Sequence, residues 1–511
     1  MSPLTGRAPE GRALPRRPKA PGSGARHGPR GPTTPAARLT IVADWALVGL
    51  LALSGCTTNM PRLPSAHAHA GPTTPPVTTF SRRVAPLLHE HPMGFSGARP
   101  MEHGDKAFIS RLALCRGAEA SLDIQYYIWE ADATGATLMA NVLEAADAGV
   151  RVRILLDDIH TRGKDRAIAL VDLHPNVEIR LFNPFLDRQH RGLHLLTDLN
   201  RLNHRMHNKL FIADGAVAIV GGRNIADDYF GVNTTANFRD LDLLVVGPVV
   251  RDLAQSFEEY WNSRWAVPIS ALFKQRLSPS QQHEARQALT KQLRRRKAFP
   301  YPADLDRSKS VDYFTSLLPE LLWGKADAIV DAPSKVGNPS HAVIEKALDA
   351  LLSSVRNELL IETAYLIPTR RGLQRLRELR ERGVRIRILT NSLASNDVVA
   401  AHAGYARYRR QLLAMGVELY EMRPDASEIA RGWRPIAFRS KAALHTKAIV
   451  FDRQKVFIGS LNLDPRSFSI NTEVALLFES PELAQRVVQF MDAGVRPENA
   501  YRLEIVKSED F

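Results

Sequence analysis

The sequence predicts an α/β fold built twice: two duplicated α/β/α sandwich domains with mixed, largely parallel sheets. The first reason is repetition. "GVRVRILLDD" at 149–158 recurs as "GVRIRILTNS" at 383–392, and "VEIRLFNP" at 177–184 as "VELYEMRP" at 417–424. "MHNKLFIADGAVAIVGGRN" at 206–224 recurs as "LHTKAIVFDRQKVFIGSLN" at 444–462, and the offsets all lie between about 234 and 240 residues. Segments repeated in one order at one long offset mark a duplicated domain, not a solenoid. The second reason is alternation: short Val/Ile/Leu runs are separated by helical stretches such as 134–148 and 370–382, the strand-helix-strand rhythm of a parallel sheet covered on both faces. The third is length, since 511 residues suit two domains plus extensions.

Taken in order, residues 1–55 read as a disordered basic tail with a signal segment, and 56–94 as a low-complexity tether. A first domain follows at 95–268, an interdomain insertion at 269–338, and a second domain at 339–511. Residues 1–38 carry eight Lys and Arg against one acid, Glu10, and so supply a net seven of the chain's +14. The remaining basic bias suits an anionic membrane surface, a phosphate substrate or nucleic acid. An apolar run from Trp45 to Leu53 leads into Leu53-Ser54-Gly55-Cys56. It is too short to span a bilayer, and it resembles a bacterial lipoprotein signal, which implies acylation at Cys56. Asp44 interrupts the run and the basic stretch before it is long for such a signal. The expected location is the bacterial cell envelope, membrane-anchored and facing the periplasm. Cys115 is then a lone thiol on a helix face, read as core. With two cysteines in all, a disulfide framework is unsupported.

The long repeat carries the chemistry. Each copy has a histidine and a lysine two apart, His207 with Lys209 and His445 with Lys447. On a strand, residues i and i+2 share a face, so each pair points one way. Asp214-Gly215 and Asp452-Arg453 occupy the turn of a two-residue hairpin, and the return strands end at Gly221-Gly222-Arg223-Asn224 and Gly459-Ser460-Leu461-Asn462. A single pair of this kind could be an exposed strand end. Two copies, each H-x-K-x4-D with an asparagine after a small-residue turn, point to a site.

On these residues the chain resembles the phospholipase D superfamily, whose HKD motif has this pattern, over roughly residues 95–500. "LDIQYYIW", "RLNHRMHNK", "GGRNIADDYF" and "HAGYARYRR" are similar to its bacterial cardiolipin synthase branch with a lipoprotein signal. The resemblance implies transfer or hydrolysis of a phospholipid's phosphodiester through a phosphohistidine. The chemistry asks for a nucleophile, an acid for the leaving alkoxide, and positive charge on the phosphoryl oxygens. His207 and His445 fill the first two roles, with His207 taken as nucleophile; Lys209, Lys447, Asn224 and Asn462 cradle the phosphate, with no metal or cofactor. One reaction with two copies of the machinery requires that they converge, so the domains are expected to be pseudo-twofold related around one shared active site.

Each imidazole also needs a carboxylate to fix its tautomer. Asp214 and Asp452 sit at the far end of their hairpins and read as structural turn residues. Glu473 in "INTEVALLFES" and Asp240 in "FRDLDLLVVGP" open the last strand of each unit and are better placed, with Asp242 the rival to Asp240. Gly222 and Ser460 are candidates for substrate contact, since small residues admit a ligand close to the backbone. His402 and Tyr405, with Arg409, share one helical face and are candidates for the lipid headgroup, against a packing role. Asp157-Asp158 reads as a helix cap, and Tyr126, Tyr127 and Trp129 as core before acyl pocket. The run "KQLRRRKAFP" at 291–300 reads as solvated surface that could meet anionic lipid. The partners expected are phospholipid substrates and the membrane surface. No nucleic acid is expected, because no interleaved aromatic and basic stripe is present, and oligomeric state is not legible. A phosphodiesterase acting on nucleic acid and a non-catalytic lipid-binding protein are the competing classes.

Overall fold

The structure, a computed structural model, describes residues 76–192, 198–273, 278–295, 306–338, 341–426 and 440–506. Cys56 with its signal segment, and residues 296–300 of the basic run, lie outside them. The strands of the first half are β1 (Phe95–Met101), β2 (Ser121–Tyr126), β3 (Arg151–Asp157), β4 (Val177–Phe182), β5 (Leu210–Ala213), β6 (Val217–Gly221), β7 (Ala236–Arg239), β8 (Asp242–Val246) and β9 (Ala266–Pro268). Those of the second are β10 (Leu322–Val330), β11 (Glu358–Thr363), β12 (Arg385–Asn391), β13 (Glu418–Met422), β14 (Lys441–Leu444), β15 (Lys447–Phe451), β16 (Lys455–Gly459), β17 (Val474–Glu479) and β18 (Ala500–Arg502).

Sixteen strands form one sheet in the order β18-β13-β12-β11-β15-β16-β17-β10-β1-β8-β6-β5-β2-β3-β4-β9. Read outward from the β1–β10 junction, the two halves have the same order. The duplicated sandwich is therefore present, but as a single sheet instead of two. The reason lies in β1 and β10, the equivalent edge strands of the two halves, which pair antiparallel and so remove both edges at once. Parallel pairing within this sheet is confined to β2-β3-β4 and β11-β12-β13. The strands between them and the junction are antiparallel, and within the tight hairpins β5-β6 and β15-β16 the short connection requires it.

Local chemistry sets the elements. The helix Ala133–Asp147 begins where Asp132 accepts from the Gly135 N–H (2.9 Å), and its counterpart Arg370–Glu381 where Thr369 accepts from Gly372 (3.1 Å), both N-caps. Each ends shortly before a glycine at positive φ, Gly149 (94°) and Gly383 (82°), the conformation a helix stop favours. Alternation within strands divides the core into layers. Val217 and Ile219 of β6 face the helices of the first half, while Ala218 and Val220 face the opposite layer. That opposite layer is common to both halves. Helices Pro248–Trp261 and Pro481–Gly494 pack there against Leu243 and Val220 and against Ile458 and Leu476, so the halves share a core.

Two boundaries differ from the sequence expectation. Residues 322–330, placed in the insertion, are the sheet strand β10, paired between β1 and β17 and mostly half-buried; the mixed sequence "LWGKADAIV" hid it. The tether contains a capped helix, Thr79–Glu90, with Phe80 and Val84 buried.

Candidate active site

The two hairpins bring the histidines to the junction of the halves. Asp214 and Gly215 (φ 54° and 61°), like Asp452 and Arg453 (50° and 54°), adopt the left-handed conformations of a type I′ turn. At this distal end the Asp214 carboxylate accepts the N–H groups of Ala120 (2.8 Å), Ser121 (3.0 Å) and Glu119 (3.1 Å). Asp452 accepts those of Arg356, Asn357 and Glu358 at 2.7–2.8 Å. Both aspartates thus fasten the hairpin to the start of the neighbouring strand, β2 or β11.

At the other end, each half holds the other's histidine. The His207 N–H donates to the Thr472 carbonyl (2.9 Å) and the His445 N–H to that of Arg239 (2.8 Å). The next residue along in each case is the carboxylate: His207 Nδ1 lies 2.8 Å from Glu473 Oε2, and His445 Nδ1 lies 2.6 Å from Asp240 Oδ2. Both contacts cross between the repeats. Asp242 faces elsewhere, into buried ion pairs with Arg111 (2.8 Å) and Arg223 (3.4 Å).

Gly222 and Ser460 turn out to be the counterparts that fit these carboxylates. A Cβ on Gly222 would stand 2.1 Å from Asp240 Oδ1, so only glycine leaves room. At the equivalent place the Ser460 hydroxyl donates to Glu473 Oε2. The remaining Asp240 oxygen accepts its own neighbour's N–H, from Leu241 (2.7 Å).

The lysines are buried beside the imidazoles. Lys209 Nζ donates to the His207 carbonyl (2.6 Å) and Lys447 Nζ to the His445 carbonyl (2.5 Å). Burial pulls their pKa values down, to about 7 for Lys209 and about 8 for Lys447; Lys447 lowers Lys209 further, while Glu473 and Asp240 act in the opposite direction. Burial also lowers His207 to about 4, with Lys209 and Lys447 adding to it against Glu473. His445 is pushed well below the usual histidine range by burial, then by Lys447, Lys209 and His207. Each imidazole therefore feels the other half's ammonium, which is how closely the copies converge. Burial opposes ionisation of Glu473, but His207, Lys209 and Ser460 outweigh it and its pKa falls; Asp240 is raised, burial prevailing over Lys447 and Arg223. Burial and the ammonium groups thus disfavour the charged form of both imidazoles. With Nδ1–H given to a carboxylate, each Nε2 keeps its lone pair, a tautomer inferred from these bonds.

Asn224 Nδ2 donates to the Tyr229 hydroxyl (2.8 Å), and its Oδ1 accepts from Ile128 (3.2 Å); Asn462 is buried with its Oδ1 unbonded among the described residues. The Tyr127 ring packs edge-on against His207 (4.9 Å), and Tyr229 and Phe238 pack on His445 (4.9 and 5.1 Å). Sequence reasoning missed Tyr229 and Phe238 as walls of the site, although Tyr229 stands five residues after Asn224 in "GGRNIADDYF". Asp157 does more than cap Asp158–His160: it also accepts the Met206 N–H (2.8 Å), holding the residue before His207.

His402 and Tyr405 are not brought to this cluster. Both are buried, and His402 Nε2 bonds Arg409 (2.8 Å), which is paired with Glu421 of β13 (2.7 Å). The shared helical face packs against the sheet there.

A family model described as cardiolipin synthase, PLD-like domain, matches residues 112–265 and 348–493, one stretch in each half. The chain belongs to this family. Among its members, cardiolipin synthase C of Escherichia coli (strain K12) is 41% identical over 79% of this chain and 85% of that protein. The cardiolipin synthase of Geobacillus kaustophilus (strain HTA426) is 27% identical over 80% of this chain and 68% of its own length. The crystal structure of phosphatidylserine synthase from Haemophilus influenzae Rd KW20 covers 84% of this chain and 94% of its own at a TM-score of 0.54 and 15% identity, which shows a common fold.

Proposed function

We propose that this protein is a phosphatidyltransferase of the phospholipase D type that makes cardiolipin from phospholipids such as phosphatidylglycerol. The observation that carries the reading is the pair of crossed contacts, His207 to Glu473 and His445 to Asp240, each beside a buried lysine. His207 Nε2 attacks phosphorus, and the bond to the headgroup oxygen breaks. Protonated His445 gives that alkoxide its proton. A hydroxyl of the acceptor lipid then loses its proton to His445 and attacks phosphorus, releasing His207. Proton and electron pair return to their starting places.

Burial and the neighbouring lysines disfavour protonated His445, so its acid form depends on substrate. An anionic phosphodiester among Lys209, Lys447 and the imidazoles raises the pKa of every cation around it. Lys209, Lys447, Asn224 and Asn462 donate to the phosphoryl oxygens, whose charge grows in the transition state. Water in place of the acceptor hydroxyl gives hydrolysis to phosphatidic acid, the second reading. The buried histidines, each 7% exposed or less, favour transfer because exclusion of water protects the intermediate.

Anchoring to the envelope through acylated Cys56 is part of this proposal, supported by the Leu53-Ser54-Gly55-Cys56 sequence. No helix among the described residues is long and apolar enough to cross a membrane. The test is incubation of the purified protein with phosphatidylglycerol, with and without phosphatidylethanolamine, and identification of every product. Cardiolipin supports transfer; phosphatidic acid alone supports hydrolysis; no change in either lipid refutes the proposal.

A further inference from the structure

The two halves differ in the loop beside each histidine. Asp157 ends β3 and accepts the Met206 N–H (2.8 Å). Its counterpart Asn391 ends β12 and clamps the residue before His445: Oδ1 accepts the Leu444 N–H and Nδ2 donates to the Leu444 carbonyl, both at 2.8 Å. The loop that follows is tied to this clamp, because the Ser395 hydroxyl donates to Asn391 Oδ1 (3.1 Å) and lies 3.0 Å from that of Ser392. In the first half the equivalent loop sets the His160 ring edge-on to Tyr127 (5.0 Å). In the second it carries Asp397, an exposed carboxylate whose two oxygens accept from the Tyr365 hydroxyl at 3.0 and 2.9 Å. Tyr365 is itself fixed, its carbonyl accepting from the Thr363 hydroxyl (3.0 Å). Burial, then Asp397, hold the Tyr365 hydroxyl well above the usual tyrosine range, so it stays a donor.

Asp397 lies on the side of the site where His445 exchanges protons. Its charge is felt by Lys447, which bonds the His445 carbonyl, and by Tyr229, whose ring packs on His445. A carboxylate there does not serve the phosphoryl group, which it repels. It can only accept hydrogen bonds, and each oxygen keeps a lone pair beyond the one given to Tyr365. The ligand that suits it is a donor one bond away from the hydroxyl facing His445. A glycerol headgroup carries such a donor on the adjacent carbon. Water and a simple alcohol carry no second hydroxyl.

We infer that Asp397, positioned by Tyr365, binds the second hydroxyl of the acceptor's glycerol headgroup and so selects a vicinal diol over water, an inference that rests on the phosphatidyltransferase reading. A site built to bond a substrate hydroxyl discriminates strongly against the analogue lacking it. The glycerol that leaves a phosphatidylglycerol donor takes its proton from His445 and so passes through the same place. Asp397 therefore reads both alcohols.

The test uses the full chain with a short-chain phosphatidyl nitrophenol and glycerol, ethanol or ethanolamine as added acceptor. The readout is the ratio of transfer product to phosphatidic acid, which reports the fate of the phosphohistidine and not how fast it forms. In Asp397→Ala, the removal of an exposed side chain, the ratio with glycerol is expected to fall about tenfold, the effect of losing a hydrogen bond to a charged group. The ratio with ethanol is expected to hold. Tyr365→Phe, which releases the carboxylate, is expected to lower the glycerol ratio by less. An unchanged glycerol ratio in Asp397→Ala overturns the inference. So does an equal fall with glycerol and ethanol, the mark of a site merely opened to water. A larger fall with ethanolamine than with glycerol would assign Asp397 to a cationic headgroup and overturn the diol. Nitrophenol released by the unmodified protein with no product from any alcohol would sink the transferase reading. Products formed from glycerol and ethanol in a proportion that ignores residue 397 would sink this inference alone.

Discussion

Glu473, in the second repeat, holds His207 of the first at 2.8 Å, and Asp240 in the first holds His445 of the second at 2.6 Å. Each half supplies the other's tautomer control, so neither contains a complete catalytic histidine. The two substitutions should separate by substrate. Glu473→Gln, which weakens the nucleophile's partner, should lower kcat on every phosphodiester by about a hundredfold or more, as loss of a triad carboxylate does. Asp240→Asn acts on the acid, so it should be severe on phospholipids and mild on a nitrophenyl diester, whose leaving group needs little protonation. Equal losses on both substrates for both variants would contradict the crossed assignment.

The crossing was not legible in the sequence. Both carboxylates could be placed at the head of the last strand of each unit, but which imidazole each meets depends on how the halves face each other. The sequence expressed the repeat well, because β-branched runs and hairpin turns are local signals. It was silent on β10, whose charged and small residues pair with β1 only through tertiary context. For His402 and Tyr405 the helical spacing shows that two residues share a face, not which neighbours that face meets.

The Gly222 and Ser460 positions should not tolerate exchange. Gly222→Ser places a Cβ against Asp240 Oδ1, at 2.1 Å without movement, and must displace the carboxylate from His445. Near-complete loss of phospholipid turnover is expected. Ser460→Gly leaves space and removes one hydrogen bond to Glu473, a loss of about 1.5–3 kcal/mol for a bond to a charged group. Thermal unfolding and kcat measured together check both; an active Gly222→Ser enzyme would refute the steric account.

Asp214 and Asp452 should behave as stability residues. Replacing Asp214 by Ala strands the Ala120, Ser121 and Glu119 N–H groups and should cost about 3 kcal/mol or more. Asp214→Asn keeps an acceptor and tolerates positive φ, so it should recover part of that. Below the unfolding temperature, kcat of both variants should stay near the unmodified value. A loss of kcat without loss of stability would return Asp214 to the chemistry.

Binding of a diester with fixed single charge should weaken as pH rises. Burial brings the lysines down to about 7 and about 8, and a bound anion raises both. A group whose pKa rises on binding contributes affinity at low pH, and loses it as pH climbs through the free-state value. The dissociation constant should therefore increase from about pH 7 upward, about tenfold per unit for each proton taken up. Lys209→Met should flatten the lower part of that rise. Titration calorimetry with dimethyl phosphate measures it, and a pH-independent constant would contradict buried, titrating lysines.

The last expectation concerns which histidine attacks. His207 bonds Glu473, whose pKa is lowered by His207, Lys209 and Ser460 against burial, and His445 bonds Asp240, whose pKa is raised by burial. We propose His207 as the nucleophile, the role that the family resemblance implies. After brief reaction with a labelled nitrophenyl phosphodiester and an acid-free quench, phosphohistidine should appear at residue 207. His445→Ala should still form it and release it slowly, since the base for the second step is gone. His207→Ala should form none with any substrate. Both variants should be nearly inactive on phospholipids, because residues acting as a unit do not lose activity additively. Label on His445 in the His207→Ala protein, with none on His207 in the other, would reverse the roles while leaving the shared site as it stands.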